Sequence, residues 1–156
     1  MFCGAGHSAT TWNIGDLSSW NTSKVTNMSR MFESAGGRAT IFNIGNLSNW
    51  DVSNVTNMSY MFDNAAEYAT EFTLDLSNWD TSKVTNMSYM FRACRKLTTI
   101  YATSSFVTTA VTNDTNMFSG ATSLKGGHGT QYSSSHIDKE YARIDREGVP
   151  GYFTNV

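Results

Sequence analysis

The sequence predicts an α/β solenoid: a right-handed stack of about four strand–turn–short-helix units closed by a C-terminal cap. Three observations lead there. The segment Leu17–Phe32 recurs as Leu47–Phe62 and again as Leu76–Phe91. Apolar residues alternate in Phe72-Thr-Leu74-Asp-Leu76, the period of a half-buried strand. Met28, Met31, Phe32 and Ala35 fall at the i, i+3, i+4, i+7 spacing of an amphipathic helix.

The repeat governs the rest. Met-Phe pairs begin at Met1, Met31, Met61, Met90 and Met117, so the unit length steps through 30, 30, 29 and 27 residues. A period near 30 marks stacked supersecondary units, each too short to bury its own apolar face. Neighbouring units must supply half of each core layer. Trp20, Trp50 and Trp79 occupy one position of the repeat, and Phe106 replaces them in the degenerate last unit.

Each unit opens with a strand, at Trp12-x-Ile14, Phe42-x-Ile44 and Phe72-x-Leu74. The first two copies carry one extra residue beside Gly15 and Gly45, which suggests a β-bulge and accounts for the 29-residue step. Asp51 with Ser53, and Asp80 with Ser82, have the composition of turns. Next comes the predicted helix, with Asn27, Asn57 and Asn86 just before it. These asparagines fit either helix N-caps or a ladder whose side-chain amides bond the next unit. Met58, Met61, Phe62, Ala65 and then Met87, Met90, Phe91, Cys94 repeat the stripe, so the methionines read as core. With strands about 4.8 Å apart and helices on the opposite wall, the geometry is that of a leucine-rich-repeat-like solenoid.

The solenoid is expected over 1–124 and the cap over 125–156. Met1-Phe2-Cys3-Gly4-Ala5 matches Met31-Phe32-Glu33-Ser34-Ala35, so the chain is expected to start inside a repeat and to be a fragment with upstream repeats beside it. After Leu124 the pattern stops at a glycine-rich exit, and the tail carries Tyr132, Tyr141, Tyr152 and Phe153 to face the last unit. Ser135–Ala142 reads as a capped helical turn. Cys94 takes a buried Ala position and Cys3 the outward position of Glu33, Asp63 and Arg92. Three units apart, about 15 Å, they are beyond disulfide reach and are expected as free thiols.

Composition excludes several classes. Lys plus Arg is 11 against 13 for Asp plus Glu, a net charge of −2, with no basic footprint for nucleic acid. No apolar run approaches the roughly 20 residues a bilayer needs, so this segment is not expected to insert in a membrane. Aromatic content of 13% is too high for a disordered tail. His7, His128 and His136 are scattered, and neither a Gly-x-Ser-x-Gly elbow nor a phosphate loop occurs. No catalytic residue, cofactor or metal site is therefore assigned. Repetition builds extended surfaces better than it builds one catalytic constellation. The candidate binding residues are Arg30, Tyr60 and Tyr89, one outward row running along the stack, of types that dominate binding hot spots. Aligned charges place Asp63 against Arg92 and Glu67 against Lys96.

The string Leu76-Ser-Asn-Trp-Asp-Thr-Ser-Lys-Val-Thr-Asn-Met-Ser-Tyr-Met-Phe91 closely resembles the bacterial surface-protein repeat of Mycoplasma-type lipoproteins, Listeria-type surface proteins and BspA-like leucine-rich-repeat proteins. The tail Tyr141-Ala-Arg-Ile-Asp145 with Pro150–Thr154 is similar to the ending that follows such arrays. The resemblance implies a solenoid at the bacterial cell surface or outside the cell. It implies a non-catalytic role in contact with a host or neighbouring-cell protein or glycan. The alternative is a purely structural stalk or spacer.

Overall fold

A computed structural model describes all residues, Met1–Val156. Five short strands form: β1 Thr11–Asn13, β2 Ile41–Asn43, β3 Phe72–Asp75, β4 Leu97–Ala102 and β5 Phe153–Asn155. All pair in parallel, in two open sheets of order β1-β2 and β3-β4-β5. The rest is turns and extended chain, apart from one 3₁₀ turn at Lys139–Tyr141 capped by Asp138 within the expected Ser135–Ala142 segment.

The predicted α/β solenoid is corrected, and with it the leucine-rich-repeat likeness. No unit contains an α-helix and the strands do not join into one continuous sheet. The reason lies in the backbone of the expected helices. Arg30, Ser34, Tyr60, Asn64, Tyr89, Ala93 and Asn116 all have φ between 53° and 59°. A right-handed helix cannot pass through such residues. The amides instead alternate between two partners. Met31, Glu33 and Ala35 donate to the carbonyls three residues back, at Met28, Arg30 and Phe32. Arg30, Phe32 and Ser34 donate to Ser59, Met61 and Asp63 of the following unit at 2.8–2.9 Å. A residue of positive φ third in a four-residue turn is the type II arrangement. Two such turns, Met28–Met31 and Phe32–Ala35, reproduce the apolar spacing of a helix without its hydrogen bonds. The inward set was read correctly: Met28, Met31, Phe32 and Ala35 are all buried.

The asparagines settle differently from both sequence readings. Asn27, Asn57, Asn86 and Asn113 are joined by parallel backbone bridges from unit to unit. Their side-chain Oδ1 atoms accept from the backbone two residues on, at Ser29, Ser59, Ser88 and Thr115. They close Asx-turns within their own unit rather than capping helices or bonding the next. Asp51 and Asp80 do the same with Ser53 and Ser82. So do Asn13 and Asn43 with Gly15 and Gly45, whose φ values of 82° and 73° belong to turns after β1 and β2, not to bulges. The ladder irregularity lies at Phe72/Thr73, where β3 meets β4. The sheet is interrupted where the unit shortens: Thr70 still bonds Thr40, but Phe72 lies one position out of phase with Phe42 relative to Leu76 and Leu47. Phe42 and Phe72, like Ile44 and Leu74, keep the 30-residue step, so the missing residue falls between Leu74 and Leu76, and β2 and β3 belong to separate sheets.

The core follows the repeat. Phe2, Phe32, Phe62, Phe91 and Phe118 form a column with ring centroids 5.4–5.7 Å apart and planes within 11°. Trp20 stacks on Trp50 at 6.1 Å. The indole N–H of Trp50 donates to Leu17 O at 3.2 Å, and that of Trp79 to Leu47 O at 2.9 Å. Cys94 is buried and donates to Phe62 O at 2.9 Å, and desolvation drives its thiol far above the usual range. Cys3 is exposed, and both cysteines are free.

Residues after Lys125 lie against the fourth unit. Tyr152 and Phe153 meet Phe118 edge-on, ending the column. Phe118 N donates to Ile137 O, and β5 extends β4. Arg143 and Asp145 then cover the outer side of β5 through bonds with Phe153. Asp145 organises this segment. It is 3% exposed and its carboxylate accepts from the amides of His128, Thr130 and Gly151 and from the Thr130 hydroxyl. Burial alone pushes its carboxyl up, but these donors outweigh it and hold the group below its ordinary value.

Two stability measurements test this account. Phe62→Ala removes a ring stacked on both sides and should cost about 3–5 kcal/mol in urea unfolding. Phe2→Ala, at the end of the column, should cost far less. Asp145→Asn should destabilise by about 1–3 kcal/mol at pH 7, because a neutral amide satisfies those donors poorly. A carboxyl held lower in the folded state stabilises fully above its unfolded value near pH 4. That contribution fades as pH falls through the folded value, so the gap between the two proteins should narrow below about pH 4.

Candidate functional site

The structure brings the three sequence-predicted residues together. Arg30, Tyr60 and Tyr89 are the third residues of successive type II turns, with φ of 59°, 58° and 59°. That conformation turns their side chains outward while Met28, Met31 and their counterparts point in. The Arg30 guanidinium lies 4.2 Å from the Tyr60 ring centre. Tyr60 and Tyr89 stack at 4.6 Å with planes 14° apart. Arg30 is exposed and both tyrosines are half-buried, so the row is open to solvent along its length.

Ion pairs hold the row from the next position of the repeat. Arg30 binds both oxygens of Glu33 at 2.8 and 2.9 Å. Arg92 binds Asp63 with two bonds of 2.9 and 2.6 Å. Its guanidinium sits 5.0 Å from the Tyr89 ring and 5.7 Å from that of Tyr60. Asp63, expected to face outward, is buried beneath this pair, its side chain only 3% exposed. The hydrogen bonds to their carboxylates raise both guanidinium pKa values further. Desolvation first, then the adjacent Glu33, raises the Cys3 thiol, which donates to Glu33 at 3.5 Å. Arg92 was legible as an ion-pair partner of Asp63 but not as part of the row. The expected Glu67–Lys96 pair does not form, and Glu33 turns to Arg30.

This arrangement offers stacked rings, two phenol hydroxyls and two guanidiniums already matched by carboxylates. Elsewhere, His136 stacks on Tyr141 at 4.1 Å, and Asp138 caps the 3₁₀ turn. No three His, Cys, Asp or Glu side chains converge on a metal-holding point. A recess of about 540 Å³ between β2 and β3, beside Phe42, Glu71 and Phe72, was not foreseen from sequence. It lies where β2 and β3 are not paired.

The fold and this row together define a protein of short stacked repeats that displays matching side chains on successive layers. The chain belongs to the family described as Mycoplasma protein of unknown function, DUF285, whose model matches residues 1–131. That match bears out the bacterial repeat family in its Mycoplasma form. No curated protein matches the chain, and no solved structure does. No helix is long and apolar enough to cross a membrane.

The two ion pairs make different demands. Arg92→Met leaves Asp63 buried without its partner and should cost on the order of 2 kcal/mol in urea unfolding, discounted from a fully buried pair because Arg92 is 43% exposed. Arg30→Met opens a pair exposed on its arginine side and should leave the urea midpoint nearly unchanged.

Proposed function

We propose that this chain is a non-catalytic binding module of a bacterial surface protein, outside the cell or at its surface. It contacts a protein or glycan of a host or neighbouring cell through the row of Arg30, Tyr60 and Tyr89. The kinship with Listeria-type and BspA-type surface repeats belongs to this reading, supported by the Leu76–Phe91 string.

The observation that carries it is the backbone beneath the row. A left-handed conformation costs a non-glycine residue about 1–2 kcal/mol, least for Asn. The fourth unit has Asn116 at this position, φ 53°, so the fold accepts the inexpensive residue. Three other units instead carry large side chains there. Mutual stacking of the two tyrosines returns about 0.5–1.5 kcal/mol. Both rings are half-buried and keep part of their surface open to solvent. Bulky groups kept outward at a conformational cost are what a contact surface needs.

Tyr60→Asn combined with Tyr89→Asn tests this, because Asn tolerates the backbone. The double variant should keep its urea midpoint close to that of the parent. On arrays of host-cell proteins and glycans, it should lose at least tenfold in affinity for whatever the parent binds. Undiminished binding by the variant would place any contact elsewhere. An absence of binding by the parent would favour the stalk or spacer.

A further inference from the structure

Between β2 and β3 the stack opens without coming apart. Ahead of the opening, the Thr70 amide donates to Thr40 O at 3.0 Å. Beyond it, the Trp79 indole donates to Leu47 O at 2.9 Å. No hydrogen bond joins residues 41–46 to residues 71–75. The recess of about 540 Å³ occupies this interval. Bonds between the two units tie both of its ends, so it is a closed slot and not a through-going groove.

The two banks of the slot are backbone. Along a strand, successive residues turn their N–H and C=O groups to alternate sides. Ile14 N donates to Asn43 O, which sets the backbone groups of Asn43 toward β1 and those of Phe42 and Ile44 toward the slot. Leu76 N donates to Tyr101 O, which sets Leu76 toward β4 and the backbone groups of Thr73 and Asp75 toward the slot. Each bank therefore presents both donors and acceptors to the space between them. The floor is aromatic. Trp12 and Phe72 are 8% and 3% exposed, whereas Phe42, the layer between them, is half-buried. Trp12 stacks on one face of Phe42 at 4.8 Å, and Phe72 meets the ring at 74°. The Phe42 face turned toward the third unit is thus met by a ring edge and is not covered by a stacked ring. At the rim, Glu71 is exposed, forms no ion pair and is the sole charged residue of the lining.

These features select an occupant. It must both donate and accept along two opposite edges, offer an apolar face to Phe42, and be short. An extended peptide meets the first condition but needs an open end, and the Thr40–Thr70 and Leu47–Trp79 bonds close both. An anion meets a carboxylate at the rim and no cation in the lining. A pyranose meets all three conditions, because each hydroxyl is donor and acceptor at once and its axial C–H groups form an apolar face complementary to the negative face of an aromatic ring. The volume lies within the range of ligand pockets, about 300–1,000 Å³.

We propose that the slot between β2 and β3 is a binding site for a neutral mono- or disaccharide. One sugar ring lies on Phe42, its hydroxyls bond the backbone groups of Phe42, Ile44, Thr73 and Asp75, and Glu71 accepts from a further hydroxyl. The site is separate from the row of Arg30, Tyr60 and Tyr89 and does not rest on the role given to that row.

The test is an amide NMR titration with the methyl glycosides of glucose, galactose, mannose and N-acetylglucosamine, and with lactose and cellobiose, at millimolar concentrations. At least one sugar should shift the Phe42, Ile44, Thr73 and Asp75 amides saturably. Phe42→Leu keeps the floor apolar without the aromatic face and should weaken that sugar about tenfold. Thr73→Trp, at an exposed rim position, should abolish the shifts and keeps the test valid should Phe42→Leu fail to fold. Tyr60→Asn with Tyr89→Asn should leave them unchanged. Absence of saturable shifts with every sugar overturns the proposal, as do shifts confined to Tyr60 and Tyr89, or equal binding by Thr73→Trp. Shifts of the same four amides by a capped tetrathreonine peptide but by no sugar make the occupant a peptide, and also overturn it.

Discussion

The structure depends on how backbone amides are shared between a unit and its neighbour. Along Met28–Ala35, and again in each later unit, alternate N–H groups close local turns while those between them reach the next layer. A helix would consume all of these donors internally and leave nothing to join the layers. A plain strand would send them sideways but could not set Met28, Met31, Phe32 and Ala35 on one side. Alternation does both, at the cost of a left-handed residue in each type II turn. The consequence is that no unit is complete alone. The inward phenylalanine of one layer rests on that of the next, and its amide is tied to the next layer's Met carbonyl.

Much of this was legible in the sequence. The repeat, its register, the inward residues and the buried place of Cys94 were all readable, because burial imposes the same residue type at the same position in every layer. The conformation between those positions was not. Apolar residues at i, i+3, i+4 and i+7 record which side chains face inward, and consecutive four-residue turns satisfy that spacing as well as a helix does. One signal could have separated the two. Gly4, Ser34, Asn64, Ala93 and Gly120 occupy one aligned position, and Asn116 shares another with Arg30, Tyr60 and Tyr89. Glycine and asparagine recurring in a column mark positive φ. The two in-column tyrosines concealed this, because tyrosine is seldom found there.

The candidate site divided along the same line. Its members were legible because aligned outward residues must form a row. Its geometry was not, because the stacking and the burial of Asp63 depend on side chains from three layers at once. Arg92 reaches back to a carboxylate of the preceding layer and lies against the rings of two. A reading that pairs positions within one alignment column finds the ion pair and overlooks the rings above it.

The unequal unit lengths explain why the row lies on the turn wall. The steps of 30, 29 and 27 residues must be absorbed somewhere in each layer. They are absorbed beside the strands, where β2 and β3 fall out of pairing and β3 meets β4 with an irregular register. On the turn wall the bridges Asn27–Asn57–Asn86–Asn113 run without interruption, and the phenylalanine rings stay in column. Only an uninterrupted wall can hold outward side chains of successive layers at stacking distance. A row of outward side chains spanning several layers is therefore confined to it, whereas the strand side can change length between layers without disturbing that row.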